Sequence, residues 1–128
     1  MSSYSSLVTK PFNQESITTI GSERYVNPVV QIKQNHIVQF RGTITAVIQA
    51  TSSCAMWKFN GAIKRENTLQ STKLVGLASY AVIANNDFKQ SYIEIYANTT
   101  EGTLEIATVG LENCTIIWTT TIEIGDTV

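Results

Sequence analysis

The sequence predicts an all-β protein, an antiparallel β-sandwich or jelly-roll-like fold with an extended N-terminal arm. Three observations carry that expectation. Apolar and polar residues alternate through most of the chain, no window repeats apolar residues at the three- and four-residue spacing of a helix, and short polar turns separate the alternating segments. Composition agrees. Of the 128 residues, 15% are charged, against about a quarter in ordinary soluble domains, and Thr, Ser, Asn and Ile make up the difference. The length suits one domain with a core of its own.

Residues 1–26 read as the arm and residues 27–128 as the sandwich. The leader contains Pro11 and scattered apolar residues without sustained periodicity. One reading makes it a loose tail ending in a first strand near Ile17 to Ile20. The other lays it on a neighbouring subunit, with Tyr4, Phe12, Ile17 and Ile20 as the contact, because aromatic residues on a free end gain by being covered. Pro28 disfavours helix at Asn27 and marks a turn or a strand entry.

His36 to Lys64 is the strongest element signal. Val38, Phe40, Ile44, Ala46, Ile48 and Ala50 share one parity, and Ala55, Trp57, Phe59, Gly61 and Ile63 share the other, so only an even loop puts both sets on one face. A loop over Thr51-Ser52-Ser53-Cys54 pairs Ala50 with Ala55, Ile48 with Trp57, Ala46 with Phe59 and Ile44 with Gly61. Lys73 to Ala84 follows as a third strand with apolar residues of both parities, which predicts a central position buried on two faces. After the turn Asn85-Asn86-Asp87, Tyr92 to Ala97 and Thr103 to Val109 form a second hairpin. Its loop is either Glu101-Gly102 or Thr99 to Gly102, again even. Thr115 to Ile124 closes the chain, with Ile116, Trp118, Ile122 and Ile124 inward, and Trp57 and Trp118 belong to the core.

Few reaction centres fit this inventory. A formal charge of -1 without a basic cluster argues against nucleic acid, and no apolar run reaches the length of a membrane span. The first residues lack the regions of a signal peptide, so the chain reads as made in the cytoplasm. His36, the sole histidine, reads as a surface residue and leaves no triad or multi-histidine metal site within one chain, so neither metal nor cofactor is expected. Cys54 and Cys114 match no zinc or redox spacing and are two free thiols or one disulfide. Glu94 and Glu105 lie on adjacent strands of one outer face but in ordinary alternating positions, so the sequence predicts no enzyme. Tyr92 and Tyr96 share an outer face with Glu94 between them, which makes them the candidate glycan contact.

The segments IVQFRGTITAVIQ, MWKFNGAIKR, KLVGLAS, YIEIYA and CTIIWTTTIEI resemble a β-sandwich domain common in structural proteins of tailed bacteriophages. In that family a long first strand precedes a K-F-x-G-A-like segment, here Lys58-Phe59-Asn60-Gly61-Ala62. A leucine-valine-glycine strand follows, here Leu74-Val75-Gly76, then a hairpin and an I-x-W strand, here Ile116-Ile117-Trp118. The resemblance spans residues 36–124 and implies fold more than task. It implies a virion component, assembled in the host cytoplasm, whose partners are the major capsid protein or tail and fibre proteins, and a homo-oligomer, a trimer above all. A short arm plus one sandwich suits a capsid decoration or cement subunit that stabilises the shell. The alternative is a tail- or head-fibre module that binds a host-surface carbohydrate receptor.

Overall fold

The computed structural model describes residues 13–83 and 92–127. Eight strands form two sheets: β1 (Asn13–Ile20), β2 (Arg24–Gln31), β3 (His36–Ile48), β4 (Cys54–Arg65), β5 (Lys73–Ile83), β6 (Tyr92–Asn98), β7 (Thr103–Val109) and β8 (Thr115–Thr127). One sheet has five strands in the order β1-β8-β3-β4-β5, the other three in the order β2-β7-β6, and every pairing is antiparallel. A 3-10 turn, Leu69–Ser71, joins β4 to β5. The all-β antiparallel sandwich expected from alternation is thus the fold.

Its core lies between the sheets. Ile44, Ile63, Ile116 and Trp118 from the larger sheet meet Leu104 and Ile106 from the smaller, all essentially inaccessible to water. Each such aliphatic side chain contributes about 1.5–3 kcal/mol by leaving water. Trp118 donates from Nε1 to Thr19 Oγ1 at 2.8 Å, and its ring stacks on Trp57 at 6.0 Å between centroids. The polar edge of the indole is thereby satisfied inside the core.

The β3–β4 hairpin keeps the expected parity in a different register. Ala46 faces Ala55, Ile44 faces Trp57, Gly42 faces Phe59, Phe40 faces Gly61 and Val38 faces Ile63. The turn comprises Gln49 to Ser52, two residues earlier than expected, with Ile48 N donating to Ser53 O at 2.8 Å and Ser52 in the left-handed region at φ 59°. Two reciprocal aromatic-glycine pairs explain the shift. The Phe40 ring covers Gly61 and the Phe59 ring covers Gly42, with the rings 6.1 Å apart, an arrangement the expected register cannot make.

The β6–β7 loop is the longer of the two anticipated forms, Thr99 to Gly102. Asn98 and Thr103 pair, Asn98 Oδ1 accepts from the backbone of Thr100 and Glu101, and Gly102 adopts φ 70°. β5 departs from expectation outright. It is an edge strand rather than a central one, and every residue in it except Leu74 is exposed. Apolar residues of both parities reflect a strand bare on both faces, not one covered on both.

In the leader, Asn13–Ile20 pairs along its whole length with β8, and β2 pairs with β7. Cys54 and Cys114 are free thiols.

Candidate functional site

Two surfaces gather chemistry-bearing side chains, and the smaller sheet holds the first. Glu94, Tyr96 and Asn98 share the outer face of β6, while Thr103 and Glu105 share that of β7, with Tyr96 directly opposite Glu105. As expected, Glu94 and Glu105 occupy one outer face. They are not alike, however: Glu105 is 6% exposed, and its carboxylate accepts from Tyr96 Oη at 2.8 Å, Asn98 Nδ2 at 2.9 Å and Thr103 Oγ1 at 2.8 Å. Arg24 pairs with Glu94 at 2.7 Å and lies over the Tyr96 ring, 5.4 Å from its centre.

Burial pushes the Glu105 carboxyl up, but the hydrogen bonds from Tyr96, Thr103 and Asn98 outweigh it and hold the group below its ordinary value. Burial, then the Glu105 contact, push the Tyr96 phenol up, so it stays protonated as a donor. The carboxylate therefore clamps the second hairpin in its ionised form. A group depressed in the folded state stabilises above the unfolded pKa, about 4.3, and that stability is lost as pH falls through the folded value. Glu105→Gln is accordingly expected to cost about 2 kcal/mol at neutral pH, as loss of hydrogen bonds to a charged group does. Urea unfolding between neutral pH and pH 3 checks it: the wild type should lose more stability over the acid range than the variant.

This clamp changes the reading of Tyr96. Its hydroxyl is engaged by Glu105 and Arg24 lies over its ring, so Tyr96 takes part in the clamp. Tyr92 opens β6 opposite Val109, and its side chain falls outside the described residues. The other predicted contact set divides as well. Ile17 packs against the protein's own core, Ile20 is 75% exposed, and Tyr4 and Phe12 lie outside the described residues.

The second surface is the outer face of the larger sheet. Pairing aligns Glu123, Arg41 and Asn60 in one row and Thr121, Thr43, Lys58 and Tyr80 in the next. Between them lies a depression of about 280 Å³. Arg41 Nε donates to Glu123 Oε1 at 2.5 Å, which holds the guanidinium in place. Lys58 is exposed and has no ion-pair partner among the described residues. Tyr80 is 57% exposed on β5 and forms the outer wall. An aromatic face beside an amide, two hydroxyls and a free ammonium can stack against the C–H face of a sugar, bond its hydroxyls and attract a carboxylate. Nothing in the residues alone singles out Tyr80, because a central β5 would hide it. Only the edge position exposes the ring.

No family model matches this chain, and no curated protein matches it. It is similar to solved tailspike proteins of Acinetobacter phages. The tailspike protein of Acinetobacter baumannii bacteriophage Fri1, described as a capsular polysaccharide depolymerase, aligns over 91% of this chain and 19% of its own length, at 16% identity and a TM-score of 0.42. That of Acinetobacter baumannii phage AM24 aligns over 91% and 26%, at 8% identity and a TM-score of 0.46. That of Acinetobacter phage vB_ApiP_P1 aligns over 91% and 21%, at 6% identity and a TM-score of 0.46. The chain thus spans between about a fifth and a quarter of the structures it matches. One expectation is corrected here: the exclusion of enzymatic activity does not hold beside a similar structure described as a depolymerase. Its grounds, one histidine and no pair of carboxylates set apart from ordinary strand positions, are the lack of a visible reaction centre, which excludes no activity.

Proposed function

We propose that this chain is a structural module of a phage virion, of the tail and receptor-binding kind, and that the outer face of its larger sheet meets host-surface saccharide. The observation that carries the reading is the depression walled by Tyr80, with Lys58, Asn60 and the Arg41–Glu123 pair around it. It is the one surface described above where an exposed aromatic, an amide and an unpaired cation converge. The family resemblance over residues 36–124 supports the virion assignment, since such domains usually end longer fibre or virion proteins.

A capsid decoration subunit anchored by its leader is the weaker reading. Residues 13–20 pair with β8 as an edge strand of the larger sheet, so this stretch is part of the sandwich rather than a loose arm.

The site favours an acidic saccharide, because Lys58 has no ion-pair partner among the described residues. Binding of the chain to acidic and neutral bacterial polysaccharides, immobilised and read by interferometry, tests this. Wild type should retain the acidic ones. Tyr80→Ala should weaken binding about five- to a hundredfold, if the stacking contact is worth the about 1–3 kcal/mol that aromatic stacking of a base contributes. Lys58→Gln should abolish the preference for acid. Unchanged binding in both variants would remove this face from the site.

A further inference from the structure

The fold brings together cations that the sequence keeps apart. β4 and β5 carry Lys58, Lys64, Arg65 and Lys73 and no acidic residue, although the whole chain has a formal charge of -1. Arg65 has the parity of the inner face, and its Nη1 donates to Ile32 O at 3.0 Å. The three lysines share the outer face of the larger sheet, where Lys58 stands opposite Tyr80 and Lys64 opposite Lys73. The one acid on that face among the described residues, Glu123, is taken by Arg41. Lys64 and Lys73 have no ion-pair partner among the described residues.

Two features of this strip have no folding reason. Like charges directly opposite one another destabilise a sheet, yet Lys64 faces Lys73. Gly76, opposite Ala62, has no positive φ, and a Cβ built on it meets nothing within 4 Å, so neither backbone conformation nor space demands glycine there. The bulge at Val75 beside it is not of the kind that needs a glycine, because that kind takes a left-handed residue. A bare glycine in a strand suits a place where the backbone of another molecule approaches closely.

We infer that the acidic saccharide runs on from the depression along β4 and β5, over Asn60, Ala78, Ala62 and Gly76, to a second anionic subsite at Lys64 and Lys73. The inference rests on the saccharide reading of the depression and extends it: the ligand is a polymer with repeated acid groups, not a single sugar. Three of the four residues beneath it are Ala or Gly, so the strip between the cationic ends is low. Six residues of β4 at about 3.3 Å each place Lys64 about 20 Å from Lys58, beyond the screening length of about 8 Å. One carboxylate therefore cannot serve both ends, and two acid groups separated by several rings can. A nucleic acid strand, with one charge about every 3.4 Å, would leave most of its phosphates unmatched over that length. The strip also offers one aromatic ring, where stacked bases use several. An anion seated between Lys64 and Lys73 offsets their repulsion, so binding at this end stabilises the fold.

Interferometry of the full chain on immobilised polygalacturonate tests the extension. Lys64→Gln combined with Lys73→Gln should weaken retention about two- to thirtyfold, the product of two exposed charge contacts, and flatten its dependence on sodium chloride. Gly76→Leu, which sets a side chain in the open strip, should weaken retention by a similar factor. Both variants should resist urea at least as well as the wild type, the lysine variant because like charges no longer face each other, so that lost binding is not lost fold. Lysine and Gly76 variants that bind as the wild type does, while Tyr80→Ala still weakens binding, would overturn the second subsite and leave the depression in place. A wild type that does not retain polygalacturonate, or that is displaced from it as readily by single-stranded DNA as by free polygalacturonate, would overturn both.

Discussion

Gly42→Ala should destabilise this protein by about 3 kcal/mol, at the upper end of what overpacking a core costs. A Cβ on Gly42 stands 2.2 Å from Thr121 O and 2.8 Å from Phe59 Cζ, and 3.1 Å from Ile122 Cα. Two of those atoms belong to the backbone of β8, which is held between β1 and β3 and cannot step aside. The third is the Phe59 ring, itself 3% exposed and packed against Phe40. Gly61→Ala meets a comparable obstacle, Gly76 O at 2.3 Å and Phe40 Cζ at 2.9 Å, but that oxygen belongs to the edge strand β5. An edge strand can give way, so about 1–2 kcal/mol is expected there. Gly76→Ala meets nothing and should be neutral or stabilise by up to about 1 kcal/mol. Urea unfolding of the three variants checks the order, Gly42 worst and Gly76 harmless. Equal losses at Gly42 and Gly76 would contradict the register on which the core is built.

Trp118→Ala is expected to cost more still, about 3–5 kcal/mol, the range for deleting a buried aromatic. Trp118 is 1% exposed, the largest fully buried side chain described, and it supports three things at once. It fills the space between the sheets, it stacks on Trp57, and it satisfies Thr19 Oγ1, whose residue is 8% exposed on β1. Removing it leaves a cavity, an uncovered Trp57 and a buried hydroxyl without its donor. Against a typical total stability of about 5–15 kcal/mol, that is a large fraction. Trp118→Phe separates the contributions: most of the volume stays while the N–H is lost, and about 1–2 kcal/mol should follow. Thermal unfolding of the two variants measures the difference, and a Trp118→Phe as damaging as Trp118→Ala would show that the Thr19 bond, not the packing, dominates.

How far the fold could be read from residues alone is clearest in the two hairpins. Parity was legible, because side chains alternate with a period of two and a misplaced parity would put Phe40 or Ile106 in water. Register was not fully legible. Pairing Ala50 with Ala55 and pairing Ala46 with Ala55 preserve the same faces, and only the three-dimensional fit of Phe40 over Gly61 and Phe59 over Gly42 selects the second. The β6–β7 loop was easier, since Asn98 and Gly102 supply the turn's side-chain acceptor and its positive φ.

The candidate site was less legible, and for two physical reasons. Sequence shows that β5 is apolar on both parities but not whether a neighbour covers it, so an edge strand read as a central one, and Tyr80 was passed over. Likewise, Tyr96 on an outer face looks free until Glu105 is placed opposite it at bonding distance, a contact fixed by the pairing of β6 with β7. In the leader, Ile17 and Ile20 have the alternation of neither arm nor strand by themselves, and it is β8 alongside that makes residues 13–20 a strand.

Locating the chain in the intact particle tests the central claim most directly. Gold-labelled antibody raised against the purified chain, or a density fit of the sandwich into a reconstruction of the whole virion, gives its position without reference to any one residue. The account predicts label or density on the tail or its fibres, with the Tyr80 face of the larger sheet directed outward. Label distributed over the facets of the capsid would contradict it and return the chain to the role of a shell subunit.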